Sequence, residues 1–266
     1  MRASSTRLPL ADVAARLGRG GDLALSVALP AALLGLAGAG WWWSVRMADG
    51  MTGADMHAMG MADTMSFGAF VVAWVAMMAA MMLPAVLPVV RLYARAAAHG
   101  RAAPLPFFVA GYLVVWSTTA LPGYLGWREL EMPLAEGRTW VGILAGASLI
   151  GAALWQLTPL KAACLRHCRS PLGFFLRFGG RVERPAGALR MGMAHGLFCL
   201  GCCWALFAVL VMAGTMNLLW MAVLAAFIVL EKNSPRGELV ARGGAVACAA
   251  LGTALLVDPS ILAHLT

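Results

Sequence analysis

Four soft metal ligands fall on one stripe of a single apolar segment: Met191, His195, Cys199 and Cys202. The local sequence, MGMAHGLFCLGCCW from Met191 to Trp204, carries no charge. In a helix turning about 100° per residue, the spacing i, i+4, i+8, i+11 keeps all four on a common face, with Cys203 beside them. Thiolate, thioether and imidazole in an apolar setting select a soft ion, Cu(I) first and Zn(II) second. Packing is the plain alternative. Cys behaves as a small apolar residue, and Gly192, Gly196 and Gly201 would let helices approach closely. A membrane-embedded His, however, is rare and faces an interior partner.

Further sulfur lies in WVAMMAAMMLP, Trp74 to Pro84, where Met77/Met81 and Met78/Met82 are i, i+4 pairs. They fall at the same expected depth as Cys199 and Cys202. Thioethers bind Cu(I) without carrying charge, although Met also serves as a flexible gap-filler. Pro84 and Pro88 then predict a kink or an end to the helix. Between Met47 and Met65 lie six Met, one His and three Asp in 19 residues. There Met51, Met56, His57, Met59, Met61 and Met65 read either as a copper-collecting loop or as a linker. Cys164, His167 and Cys168 form C-x2-H-C, three ligands that await a fourth. Lys161, Arg166 and Arg169 alongside predict lowered thiol pKa values, and a basic headgroup-binding turn is the alternative. Cys248 reads as core. Glu231 and Lys232 read as a snorkelling pair at the inner membrane face, with a structural ion pair or a gate as the alternative.

The elements that must position these residues are apolar helices. The chain is 61% hydrophobic, with a mean hydropathy of +0.79 and only 12% charged residues. Soluble domains carry about 25% charged residues. The expected fold is an all-α, polytopic transmembrane helix bundle of about seven spans. They are Leu23–Trp43, Ser66–Val90, Pro106–Gly126, Trp140–Leu157, Met191–Met212, Met216–Leu230 and Gly243–Val257. The sixth and seventh are short against a bilayer core of about 30 Å. A basic cytoplasmic arm, 1–22, precedes a single transmembrane domain, 23–262, with the Met/His loop 47–65 outside and a basic loop 161–190 inside. That inner loop is expected to contain a short interfacial helix, Pro171–Phe178. With the N-terminus in and the C-terminus out, 17 of the 20 Lys and Arg residues lie on the cytoplasmic side and 3 outside. This is the positive-inside pattern, so the lipid bilayer accounts for the +8 net charge and no nucleic acid partner is implied. No cleavable signal peptide is evident in front of the first apolar run.

These residues resemble the domain-of-unknown-function 2182 family, bacterial inner-membrane proteins described as metal-binding by prediction. The resemblance rests on Trp74 with Ala80-Met-Met-Leu-Pro84, Gly111-Tyr-Leu-Val-Val-Trp116 and Gln156-Leu-Thr-Pro-Leu-Lys161 with Cys164 and Cys168. It continues through Met191-Gly, His195-Gly, Cys199-Leu-Gly-Cys-Cys-Trp204, Gly214 with Met216-Asn217 and Trp220, and Glu231-Lys232 with Pro235. It covers roughly residues 66–242 and implies a multi-pass protein of the bacterial inner membrane, without assigned ligands.

The leading functional expectation is a membrane protein that binds Cu(I) for transport or delivery. Its metal ligands would be His195, Cys199, Cys202, Cys203, Met191, Met77, Met78, Met81 and Met82. Cys164, His167, Cys168, Met56, His57 and Met59 are secondary candidates. The partner would be a periplasmic metal carrier or a larger membrane complex. Two alternatives stand beside it. One is a thiol redox protein that uses Cys199 and Cys202 with a quinone; the other is a non-catalytic subunit of a membrane complex. No hydrolytic set, nucleotide-binding glycine pattern or haem motif is visible, so no enzyme is expected.

Overall fold

A computed structural model describes residues 66–178, 181–212 and 217–265, with scattered helical residues between Ala31 and Arg46. The expected arm 1–22, most of the expected first span, and the Met/His loop with Met51, Met56, His57, Met59, Met61 and Met65 lie outside the described residues. The described residues form helices and turns, with no strand among them.

Helix α1 (Phe67–Met82) is capped by Ser66, whose hydroxyl accepts from the Ala69 amide at 3.3 Å. It breaks where Pro84 removes an N–H and would collide with the preceding turn. A 3-10 turn (Pro84–Val86) follows, then α2 (Leu87–Ala98), bent by 42° from α1. Next come α3 (Leu105–Ser117), α4 (Ala120–Ala135) and α5 (Thr139–Gln156). Three successive helices start on proline: α6 (Pro159–Arg169), α7 (Pro171–Phe178) and α8 (Pro185–Met212). Proline is pre-organised for the first helical position, where its missing N–H costs nothing. Then come α9 (Leu218–Asn233), α10 (Gly237–Val257), a 3-10 turn (Pro259–Ile261) and a four-residue helix (Leu262–Leu265). Much of the segment expected as a basic loop, 161–190, is therefore helical, and α7 coincides with the short helix expected from the sequence.

Among the described residues, four helical stretches are long and apolar enough to cross a membrane: Leu105–Leu130, Thr139–Gln156, Pro185–Met212 and Gly237–Val257. The bent α1–α2 pair makes a fifth if it is one span. The expected sixth span, Met216–Leu230, does not join them. Helix α9 has 16 residues. At 1.5 Å per residue that is about 24 Å, short of the bilayer core.

Helix α8 is the hub. A methyl group on Gly192 would sit 2.0 Å from the Phe108 carbonyl oxygen of α3, and one on Gly111 would sit 2.2 Å from that of Leu189. Helices α5 and α10 meet in the same way at Gly146 and Gly252. Close backbone approach of this kind gives lipid-embedded helices their van der Waals contact. Gly192→Ala is expected to destabilise the chain by about 1–3 kcal/mol, because the added carbon meets backbone that cannot yield. Thermal unfolding in detergent checks this. Gly151→Ala, where a methyl group meets nothing within 4 Å, is the control and stays near native.

Candidate metal centre

The sulfur stripe of α8 faces inward. Met191 is 1% exposed, and His195, Cys199, Cys202 and Cys203 are 0% exposed. Cys199 stands near the middle of this 28-residue helix. Its sulfur accepts a hydrogen bond from Lys232 Nζ at 2.8 Å and lies 3.1 Å from the Tyr112 hydroxyl. The Cys202 thiol donates to the Cys199 carbonyl at 3.1 Å, and its sulfur is 3.3 Å from that of Cys203. Cys168, from α6, is buried in the same core cluster as Cys199, Cys202 and Cys203. Four thiols from two helices therefore share one buried cluster, and one of them, Cys199, meets an ammonium group.

Each neighbour is placed by a local feature of the chain. Thr158 caps α6 by accepting from the Lys161 amide at 3.2 Å. Gly201 lets α6 approach α8, since a methyl group there would sit 2.9 Å from Cys164 Sγ. Trp155 Nε1 donates to the Gly201 carbonyl at 3.2 Å and fixes the end of α5 beside the thiols. The C-terminal end of α9 is held by Arg169, whose Nη2 donates to the carbonyls of Ser234 at 2.5 Å and Pro235 at 3.1 Å. A cation there also complements the C-terminal end of the helix dipole. Gly237 completes the turn, since any side chain would meet the Glu231 carbonyl at 2.1 Å.

A second buried polar group lies on the same elements. Lys161 and Glu231 pair at 2.5 Å with both side chains essentially unexposed, and Lys161 also donates to Gln156 Oε1. This corrects the expectation that Glu231 and Lys232 snorkel at the membrane face. They are 0% and 5% exposed, because Glu231 turns to Lys161 of α6 and Lys232 to Cys199 of α8. Lys161 and Lys232 thus leave the count of cytoplasmic surface charges.

His195 sits one turn from Cys199 among Phe174, Tyr112 and Phe108, at ring distances of 4.9, 5.9 and 6.2 Å. Neither of its ring nitrogens has a hydrogen-bond partner. A buried imidazole without a partner is costly unless something binds it. Met77, Met78, Met81 and Met82 are buried in the same core cluster as Cys199, Cys202 and Cys203.

The expected C-x2-H-C set does not gather as one group. Cys168 joins the α8 thiols, Cys164 packs at Gly201, and His167 lies flat on Phe198 at 4.3 Å with Nδ1 2.9 Å from the Ala163 carbonyl oxygen. Burial raises the Cys164 thiol above its ordinary pKa, opposite to the expected lowering. Two of the three cations that were to lower it are engaged elsewhere, Lys161 with Glu231 and Arg169 with the α9 turn. Among the described residues, no group of three or more His, Cys, Asp or Glu side chains is arranged to hold a metal ion. The four-ligand cage that structural Zn(II) takes is therefore absent among them, which leaves Zn(II) without support. Adjoining sulfurs, thioethers and a single imidazole instead suit a soft ion of low coordination number.

Tyr112, Gln156 and Lys161 were not singled out as site residues by sequence reasoning. The motifs GYLVVW and QLTPLK contain them, but no spacing rule connects them to Cys199 or Glu231.

A family model described as PpoB2, copper chaperone, matches residues 71–255, well over half of the chain. It overlaps the region of the resemblance noted above, and it names copper where that resemblance implied only a metal. No curated protein and no solved structure matches the chain.

Proposed function

Because this chain belongs to the PpoB2 copper chaperone family, we propose that it is a multi-pass carrier of Cu(I) in a bacterial inner membrane. The observation that carries this reading is the 2.8 Å contact between Lys232 Nζ and the buried Cys199 sulfur. Two thiolates bound to Cu(I) leave one negative charge, and a buried charge needs a partner. Lys232 supplies it, while the neighbouring Glu231 is already matched by Lys161. Two of the three thiols Cys199, Cys202 and Cys203 hold the ion at a time, with His195 and Met191 continuing the path along α8. Met77, Met78, Met81 and Met82 pass it from the outer Met/His loop, where Met56, His57 and Met59 collect it. The role is carriage rather than catalysis, with delivery to a periplasmic carrier or a larger membrane complex.

Elemental analysis and Cu(I) competition titration of the purified whole chain test the reading. Cys199→Ser/Cys202→Ser is expected to lose bound copper or to bind about 100-fold more weakly, which corresponds to about 2.7 kcal/mol. His195→Ala is expected to show a smaller loss. Unchanged stoichiometry and affinity in both variants would reject the assignment.

Thiol redox chemistry is the second reading, favoured by the same ammonium–sulfur contact, since cations next to a thiol promote its reactivity. It requires a reversible disulfide in the purified protein. Differential alkylation with mass spectrometry separates it from carriage.

A further inference from the structure

An open cavity of about 370 Å³ lies at the N-terminal end of α8, lined by Phe178, Arg181, Arg184, Arg190, Met191 and Ala194 among others. Three of these are guanidinium groups, and among the described residues no salt bridge engages them. Glu183, in the same turn, is exposed and does not line the cavity. The turn is firmly built. Arg181 holds a left-handed backbone (φ 65°), uncommon for a residue with a side chain. Val182 is buried beside it, and its carbonyl accepts from the Ala103 amide at 2.7 Å. Gly187 packs under the turn, where any Cβ would sit 2.0 Å from the Arg181 carbonyl oxygen.

The sign of the charge decides what enters. Three cations repel a bare copper ion and concentrate an anion, which guanidinium groups can grip through paired hydrogen bonds. The cavity wall also includes Met191, the first member of the buried stripe that continues to His195 and Cys199. An occupant that uses both features is negatively charged and carries a soft metal. We propose that the arginine cavity docks a small anionic Cu(I)–thiolate complex of a carboxylated thiol, and that copper exchanges between it and the α8 stripe at Met191. The exchange is a ligand substitution. A lone pair of Met191 Sδ forms a bond to Cu(I) as one donor thiolate leaves with its own electron pair, and copper stays Cu(I). This rests on the copper-carrier reading above.

The test uses the whole chain in phosphatidylcholine nanodiscs and two donors: Cu(I) in excess glutathione, which is anionic, and the cationic Cu(I)–acetonitrile complex. In Arg184→Gln/Arg190→Gln, loading from the glutathione complex is expected to slow about tenfold or more, while loading from acetonitrile holds or quickens. An equal fall with both donors, or no change with either, overturns the proposal. Loss of copurified anionic phospholipid with unchanged loading marks a headgroup site and overturns it too. A native chain loaded only from acetonitrile refutes the docking role and leaves copper carriage intact. A native chain loaded by neither donor refutes both.

Discussion

Glu231→Gln is expected to cost about 3–5 kcal/mol of stability, because it strands Lys161 as an unpaired buried ammonium. The pair meets at 2.5 Å with side-chain exposures of 1% and 0%, so solvent screening does little to soften the loss. Gln156, which accepts from Lys161, is a neutral partner and cannot balance the charge. Lys161→Met should cost a similar amount by stranding the carboxylate. The double variant Lys161→Met/Glu231→Gln should recover most of the loss, since removing both charges leaves neither uncompensated. Thermal unfolding of the four proteins in detergent gives the cycle. Additive losses in the double variant would show that the two side chains do not depend on one another.

Lys232→Met is expected to act on copper instead. The ammonium lies against the Cys199 sulfur, so its removal should weaken Cu(I) affinity about 10–100-fold, the scale of losing a group that supports a metal ligand. The copper-free chain should lose little stability, since holding an ammonium out of water is itself costly. Competition titration and unfolding, run on the same preparation, separate the two effects. Native-like copper affinity would remove Lys232 from the centre. A collapse of the apo protein would mean that its contacts with the thiols are structural first.

The two experiments bear on residues that sequence reasoning treated unequally. The sulfur stripe was legible because it is local. Met191, His195, Cys199 and Cys202 share a face through helical period alone, and α8 buries that face as one unit. The break at Pro84, the proline-led start of α7 and the all-helical class follow from equally local rules. Cys168 was legible as a metal-ligand type but was expected in a separate C-x2-H-C set with Cys164 and His167. The fold of α6 onto Gly201 brings it instead to the α8 thiols.

The charged residues were misplaced for a physical reason. Hydropathy assigns a Lys at the end of an apolar run to the interface, because solvation there is the cheapest local solution. Lys161 and Glu231 find a cheaper one in each other, and Lys232 in Cys199, across 70 and 33 residues of sequence separation. No periodic pattern carries that information.

The sequence by itself determined the helical, membrane-apolar character of the chain, the positions of its proline breaks, and a soft-ligand face on one helix. Those properties depend on each residue and its neighbours within a few turns. Only the tertiary structure decided that the end of α9 turns its charges to α6 and α8, that three formal charges are sealed inside, and that an ammonium meets the central thiol. These depend on which helix ends coincide in space, and that is set by glycine contacts and a clamped turn between distant segments.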